Sequence, residues 1–145
     1  MSAVDSTVAL VHTTNYVDTF IETAEDCPVD HAVEPPARDQ ATIAQLHYEM
    51  ISARPYELTS DDVVFETYAV RAGVADEDRD AERERFFSKG QPCLRSSPLG
   101  KRYGWGVHSD AEGRVALFAR ESDDYRRLAD DPGVAHTRAM RSSRA

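Results

Sequence analysis

The chain has 145 residues, 41% of them apolar, and a formal charge of −9 at neutral pH. That length gives one domain enough chain to bury a sizeable core, while the acidic balance argues against a protein built to coat nucleic acid or an anionic membrane. Two cysteines are too few for a disulfide framework and read as reduced thiols of a cytoplasmic protein; no run approaches the roughly 20 apolar residues of a spanning helix, and Met1 to Val11 lacks the positive start of a signal peptide.

Residues 1–11 read as a loose extension, and residues 12–145 as a single domain. Thr13 to Ala24 mixes helical spacing with a run of β-branched residues, and the β-branching favours a strand. Glu25 to Gln40, with Cys27-Pro28 and Pro35-Pro36, is a long irregular connection. Thr42 and Gln45 have capping-box spacing ahead of a stripe of Ile43, Leu46, Met50 and Ile51, which predicts a helix up to Pro55. Thr59 or Ser60 caps a second helix with Val64, Phe65, Tyr68, Ala69 and Ala72 on its buried side, closed by Gly73. Asp76 to Ser88 predicts a third, charged helix, stopped by Gly90.

Phe86 to His108, FFSKGQPCLRSSPLGKRYGWGVH, contains the only tryptophan, several glycines and prolines, and no acid. Its prolines predict an irregular loop through Leu99, followed by a strand with Tyr103, Trp105 and Val107 on one face and Gly104, Gly106 and His108 on the other. Trp105 is expected to be buried on the face that the helices cover. Arg114 to Arg120 completes a hairpin, Ser122 caps a short helix through Leu128, and Val134 to Met140 suits a last strand. The sum is an α+β fold, a small antiparallel sheet with three to four helices packed on one side.

The motifs HTTNYVDTFIETAEDCP (His12 to Pro28), PYELTSDDVVF (Pro55 to Phe65), FFSKGQPCLRSSPLGKRYGWGVH and MRSSR resemble a family of small bacterial proteins classed as a domain of unknown function. That resemblance runs from His12 almost to the last residue and brings no catalytic residue with it.

Charge is unevenly spread. Before Ala41 the acids Asp5, Asp18, Glu22, Glu25, Asp26, Asp30, Glu34 and Asp39 face a single cation, Arg38, whereas Phe86 to Ser109 carries only Lys89, Arg95, Lys101 and Arg102. Such blocks are expected to face each other in the fold. The competing reading is an anion site: Arg95-Ser96-Ser97 recurs as Arg141-Ser142-Ser143, and with Lys101, Arg102 and the bare backbone of Gly104 and Gly106 it offers guanidinium forks, hydroxyls and amides to a phosphate or carboxylate. It is not a P-loop, because Arg95 stands at the first glycine and Arg102 at the Mg²⁺-binding Ser/Thr. On this reading the chain is a binding module for a small anionic ligand or an acidic partner segment. The alternative is a thiol-dependent enzyme with Cys93 as nucleophile and His108 as base, set against the common case of a cysteine that is merely buried. Cys27, His31, Cys93, His12, His47 and His108 lack the spacing of a zinc set, with Cys27 and His31 the one close pair, so the sequence implies no metal and no cofactor.

Overall fold

The computed structural model describes residues 12–142. Among them four strands, β1 (Thr19–Glu22), β2 (Trp105–Ser109), β3 (Val115–Ala119) and β4 (Ala135–Arg138), form one sheet in the order β3-β2-β1-β4. Five helices accompany it: α1 (Ile43–Ala53), α2 (Ser60–Ala72), α3 (Arg79–Phe86), α4 (Pro98–Arg102) and α5 (Asp123–Asp130). The fold is α+β, as the sequence pattern implies. Residues 1–11 lie outside the described residues.

The helix ends follow from local chemistry. Thr42 Oγ1 accepts the Gln45 N–H and starts α1. At α2 the reciprocal pair is complete: Thr59 Oγ1 accepts the Asp62 N–H, Asp62 accepts the Thr59 N–H, and Gly73 closes the helix at a left-handed φ of 71°. The charged stretch after it begins as a 3-10 turn, Asp76–Asp78, before α3. Gly90 does not stop α3; the helix ends at Phe87, whose ring is buried with Phe65 and Ala69.

Two details of the sheet depart from the expected all-antiparallel sheet covered on one side. β1 pairs antiparallel with β2, and β2 with β3, but β4 runs parallel to β1, with Thr19 opposite Ala135 and Glu22 opposite Arg138. The hairpin leaves β3 parallel to β1, and α5 then returns the chain to start β4 in that same direction, as a helical crossover does. This places α5 on the opposite face from the other helices. Ile21, Val107 and Val115 point to the first face, in one core with Ile51, Val63 and Leu94. Phe20, Gly106, His108 and Phe118 point to the second, where Tyr125 of α5 meets Phe20 edge-on with ring centroids 4.9 Å apart.

The glycines of β2 serve this second layer. A Cβ on Gly106 would lie 2.7 Å from both Phe20 Cζ and Tyr125 Cε2, so the missing side chain is the space those two rings occupy. Gly104 has a φ of 79°, and its Cβ would lie 2.6 Å from the His31 carbonyl oxygen, which seats the acidic connection against the sheet. Trp105 is on the helix-covered face as expected, but it is half-buried: it packs on Tyr48 of α1 and its Nε1 donates to the Val33 carbonyl at 2.9 Å.

Two substitutions test this packing. Gly106→Ala forces Phe20 and Tyr125 apart and should destabilise the protein by about 1–3 kcal/mol in urea unfolding. The Asp61 carboxylate accepts from Thr13 Oγ1, Thr14 N and Thr14 Oγ1, tying the HTTN motif to the start of α2. Asp61→Ala should therefore cost about 2 kcal/mol in the same measurement, since these donors lose their acceptor.

Candidate functional site

Two hollows open between α1, α2 and the 90–103 segment. The larger, of about 540 Å³, is bounded by Ile43 and His47 of α1, Val64, Thr67, Tyr68 and Arg71 of α2, Phe86, and the chain from Gln91 to Cys93 with Ser96 and Ser97. Its size falls in the roughly 300–1,000 Å³ range of small-molecule pockets, and its wall is mainly apolar with a few polar groups, as such pockets usually are. The smaller, of about 380 Å³, is lined by Pro36, Arg38, Thr42, Ile43, Arg71, Pro98, Arg102 and Tyr103. Ile43 and Arg71 border both, so the two adjoin.

The central loop is more ordered than its prolines imply. Leu94–Ser96 is a 3-10 turn, and Ser97-Pro98 initiates α4 instead of preventing structure: Pro98 takes the first helical position, where its missing N–H has no partner to lose, and Ser97 Oγ accepts the Leu99 N–H at 3.2 Å. Ser97 Oγ is also 2.8 Å from His47 Nδ1, with Ser97 2% and His47 6% exposed. Burial pushes the His47 imidazole down to about 4, which leaves it neutral at physiological pH.

A serine beside an imidazole suggests a nucleophile and its base, but the environment opposes that chemistry. The serine oxygen is engaged as a helix cap, no carboxylate among the described residues bonds the far side of the ring, and so weakly basic an imidazole is a poor proton acceptor at neutral pH.

The residues singled out from the sequence separate into three places. Arg95 Nε donates to the Arg138 carbonyl, Met140 N donates to the Arg95 carbonyl, and Ser96 Oγ contacts Met140 Sδ, so the two Arg-Ser-Ser stretches lie near one another. Arg141 pairs with Glu25 at 3.8 Å, Arg138 with Glu22 at 3.8 Å, and Ser142 N donates to the Asp26 carboxylate. Basic end and acidic segment face each other here, as the charge blocks imply. Arg102 lies elsewhere, in the smaller hollow; Lys101 lines neither hollow; Gly104 and Gly106 are covered by the chain's own atoms. Ser143 lies outside the described residues.

The structure does not bring Cys93 and His108 together. Cys93 is half-buried on the larger pocket's wall, where its Sγ is 3.4 Å from the Tyr16 hydroxyl; burial and that contact push the tyrosine above its ordinary value. His108 points to the other face of the sheet, its Nδ1 2.8 Å from the Tyr56 hydroxyl. Burial holds it below the ordinary imidazole value, although Asp110, Asp18 and Asp131 act the other way. The cause is strand parity, which turns His108 away from the helices that frame the pocket. Among the described residues no group of three or more His, Cys, Asp or Glu is placed to hold a metal, and no helix is long and apolar enough to cross a membrane.

The family model of DUF6157, a family of unknown function, matches residues 11–145. The chain belongs to the DUF6157 family. No curated protein and no solved structure matches it. For this DUF6157 chain the pocket is therefore read from its own residues. Sequence reasoning missed Arg71 and passed over Arg38 and His47 as site residues; Arg71 is exposed in the last turn of its helix, where the macrodipole accounts for a cation, so nothing local marked it.

His47 makes stability depend on pH. Its imidazole is neutral in the fold but titrates near 6.5 in the unfolded chain, so between those values the unfolded state binds more protons and stability falls as pH falls from about 6.5 towards 4. The full loss is about 3 kcal/mol at most, at ~1.4 kcal/mol per pKa unit. Urea unfolding from pH 7 to 4.5 should show this decline, and His47→Gln should flatten it.

Proposed function

We propose that the protein is a binding module for a small anionic ligand with an apolar body. One observation carries the reading: Arg38, Arg71 and Arg102 border one hollow, and none of them has an ion-pair partner among the described residues. Most other described arginines of this acidic chain find acids, as Arg79 does with Glu66, Arg83 with Asp62 and Arg138 with Glu22, while Arg95 and Arg120 donate to the Arg138 and Val29 carbonyls instead. Arg71 Nη1 donates to the Ala41 carbonyl at 3.0 Å, which holds it between the two hollows with its remaining donors free.

Guanidinium groups in a shared recess suit a carboxylate or phosphate, because each can offer parallel N–H donors. The larger pocket next door, walled by Ile43, Val64, Tyr68, Phe86 and Pro92, would take the apolar part of the same molecule. Arg102 belongs to the site expected from the sequence; Arg38 and Arg71 join it, and Arg95 and Arg141 serve the fold.

Millimolar hexanoate should raise the melting temperature, by about 2.7 kcal/mol of stability at a concentration one hundred times Kd. Arg102→Ala and Arg71→Ala should abolish the rise, and Arg95→Ala should keep it. Occupancy should also slow alkylation of Cys93, whose sulfur borders the pocket. A melting temperature indifferent to hexanoate, phosphate and sulfate alike would overturn the reading.

A further inference from the structure

The larger pocket holds a polar group that an apolar ligand body leaves without a role. Ser97 Oγ accepts the Leu99 N–H, and its one other partner is His47 Nδ1. A hydroxyl has a single proton, and among the described residues Nδ1 is the acceptor within its reach, so that proton goes to Nδ1. Nδ1 is then the bare nitrogen of the ring. Since the buried ring is neutral, its own proton sits on Nε2.

Nε2 makes no hydrogen bond among the described residues. It is also not sealed in: the only fully buried side-chain nitrogen or oxygen with no hydrogen-bond partner among the described residues is Arg79 Nε, and His47 borders the larger pocket. The neighbouring Thr67 hydroxyl already donates to the Val63 carbonyl at 2.8 Å. The pocket wall thus carries a fixed N–H donor among apolar side chains, and such a donor favours an occupant that brings an acceptor.

We propose that His47 Nε2–H is a recognition point for a carbonyl oxygen, so that the ligand class is an oxo acid: a carboxylate on the arginines and a ketone or similar oxygen along an apolar chain. This rests on the anion reading above for the charged end. Ser97 acts here as a positioning residue, setting which nitrogen of the ring carries the proton.

Long-range ¹H–¹⁵N NMR of the free protein should show His47 protonated on Nε2 and bare on Nδ1; the reverse pattern overturns the proposal without reference to any ligand. Calorimetric titration would then compare hexanoate with 4-oxohexanoate and 5-oxohexanoate. At least one oxo acid should bind about three- to tenfold tighter than hexanoate, the range a net hydrogen bond gives. His47→Phe should erase that preference, the oxo acids then binding no tighter than hexanoate, and Arg102→Ala should weaken all three alike. Should His47→Phe fail to fold, the tautomer of the free protein and the three titrations of the unaltered protein still decide the proposal. Equal binding of all three acids to the unaltered protein would sink the oxo-acid proposal and leave the anion site standing. Binding of none would remove both.

Discussion

Much of this structure hangs on the hydroxyl of Ser97. Its oxygen caps α4, and the same atom contacts His47 on α1, so the loop, the short helix and the pocket wall are joined through one buried group. α4 in turn supplies the Gly100 carbonyl, which accepts the Ala24 N–H just beyond β1. Ser97 is 2% exposed and Ala24 fully buried, which gives these bonds the energetic weight of otherwise unsatisfied groups. A five-residue helix has little stability of its own. It persists here because its cap, its proline and its packing all act at once.

Electrostatics divides the basic residues into two populations. Near the C-terminal strand, Arg138 and Arg141 meet Glu22 and Glu25 and stitch the last part of the chain to the acidic connection. These pairs are exposed enough that each is worth little alone; the backbone bonds beside them, Ala139 N to Glu22 O and Met140 N to Arg95 O, hold the register. Around the smaller hollow the cations have no such partners among the described residues, and a net charge of −9 does nothing to neutralise them locally. A protein can thus be acidic overall and still present a recess suited to an anion, because screening over about 8–10 Å makes the nearest charges the ones that count.

The bare face of β2 was a fair signal of close approach with the wrong partner. Gly104 and Gly106 are glycines because the His31 carbonyl and the Phe20 and Tyr125 rings need the room, so the space a ligand would have used is filled from within. A missing Cβ in a strand reports crowding. It does not report who does the crowding, since that depends on where α5 and the acidic connection land.

The helix caps at Thr42, Thr59 and Ser122, the left-handed stop at Gly73 and the β2–β3 hairpin were legible in the sequence because each is decided within a few residues by side-chain oxygens and backbone strain. The α+β class followed from those elements. Tertiary structure alone decided the parallel pairing of β4, the placement of α5 on the second face, the separation of Cys93 from His108, and the meeting of Arg38, Arg71 and Arg102. Residues 31 or more positions apart come together only through the packing of α1 on α2 and of α4 against both sheet and helix, and sequence spacing carries no record of distances across such an interface. Local hydrogen bonding is written in adjacent residues, whereas a site belongs to the surfaces that folding brings face to face.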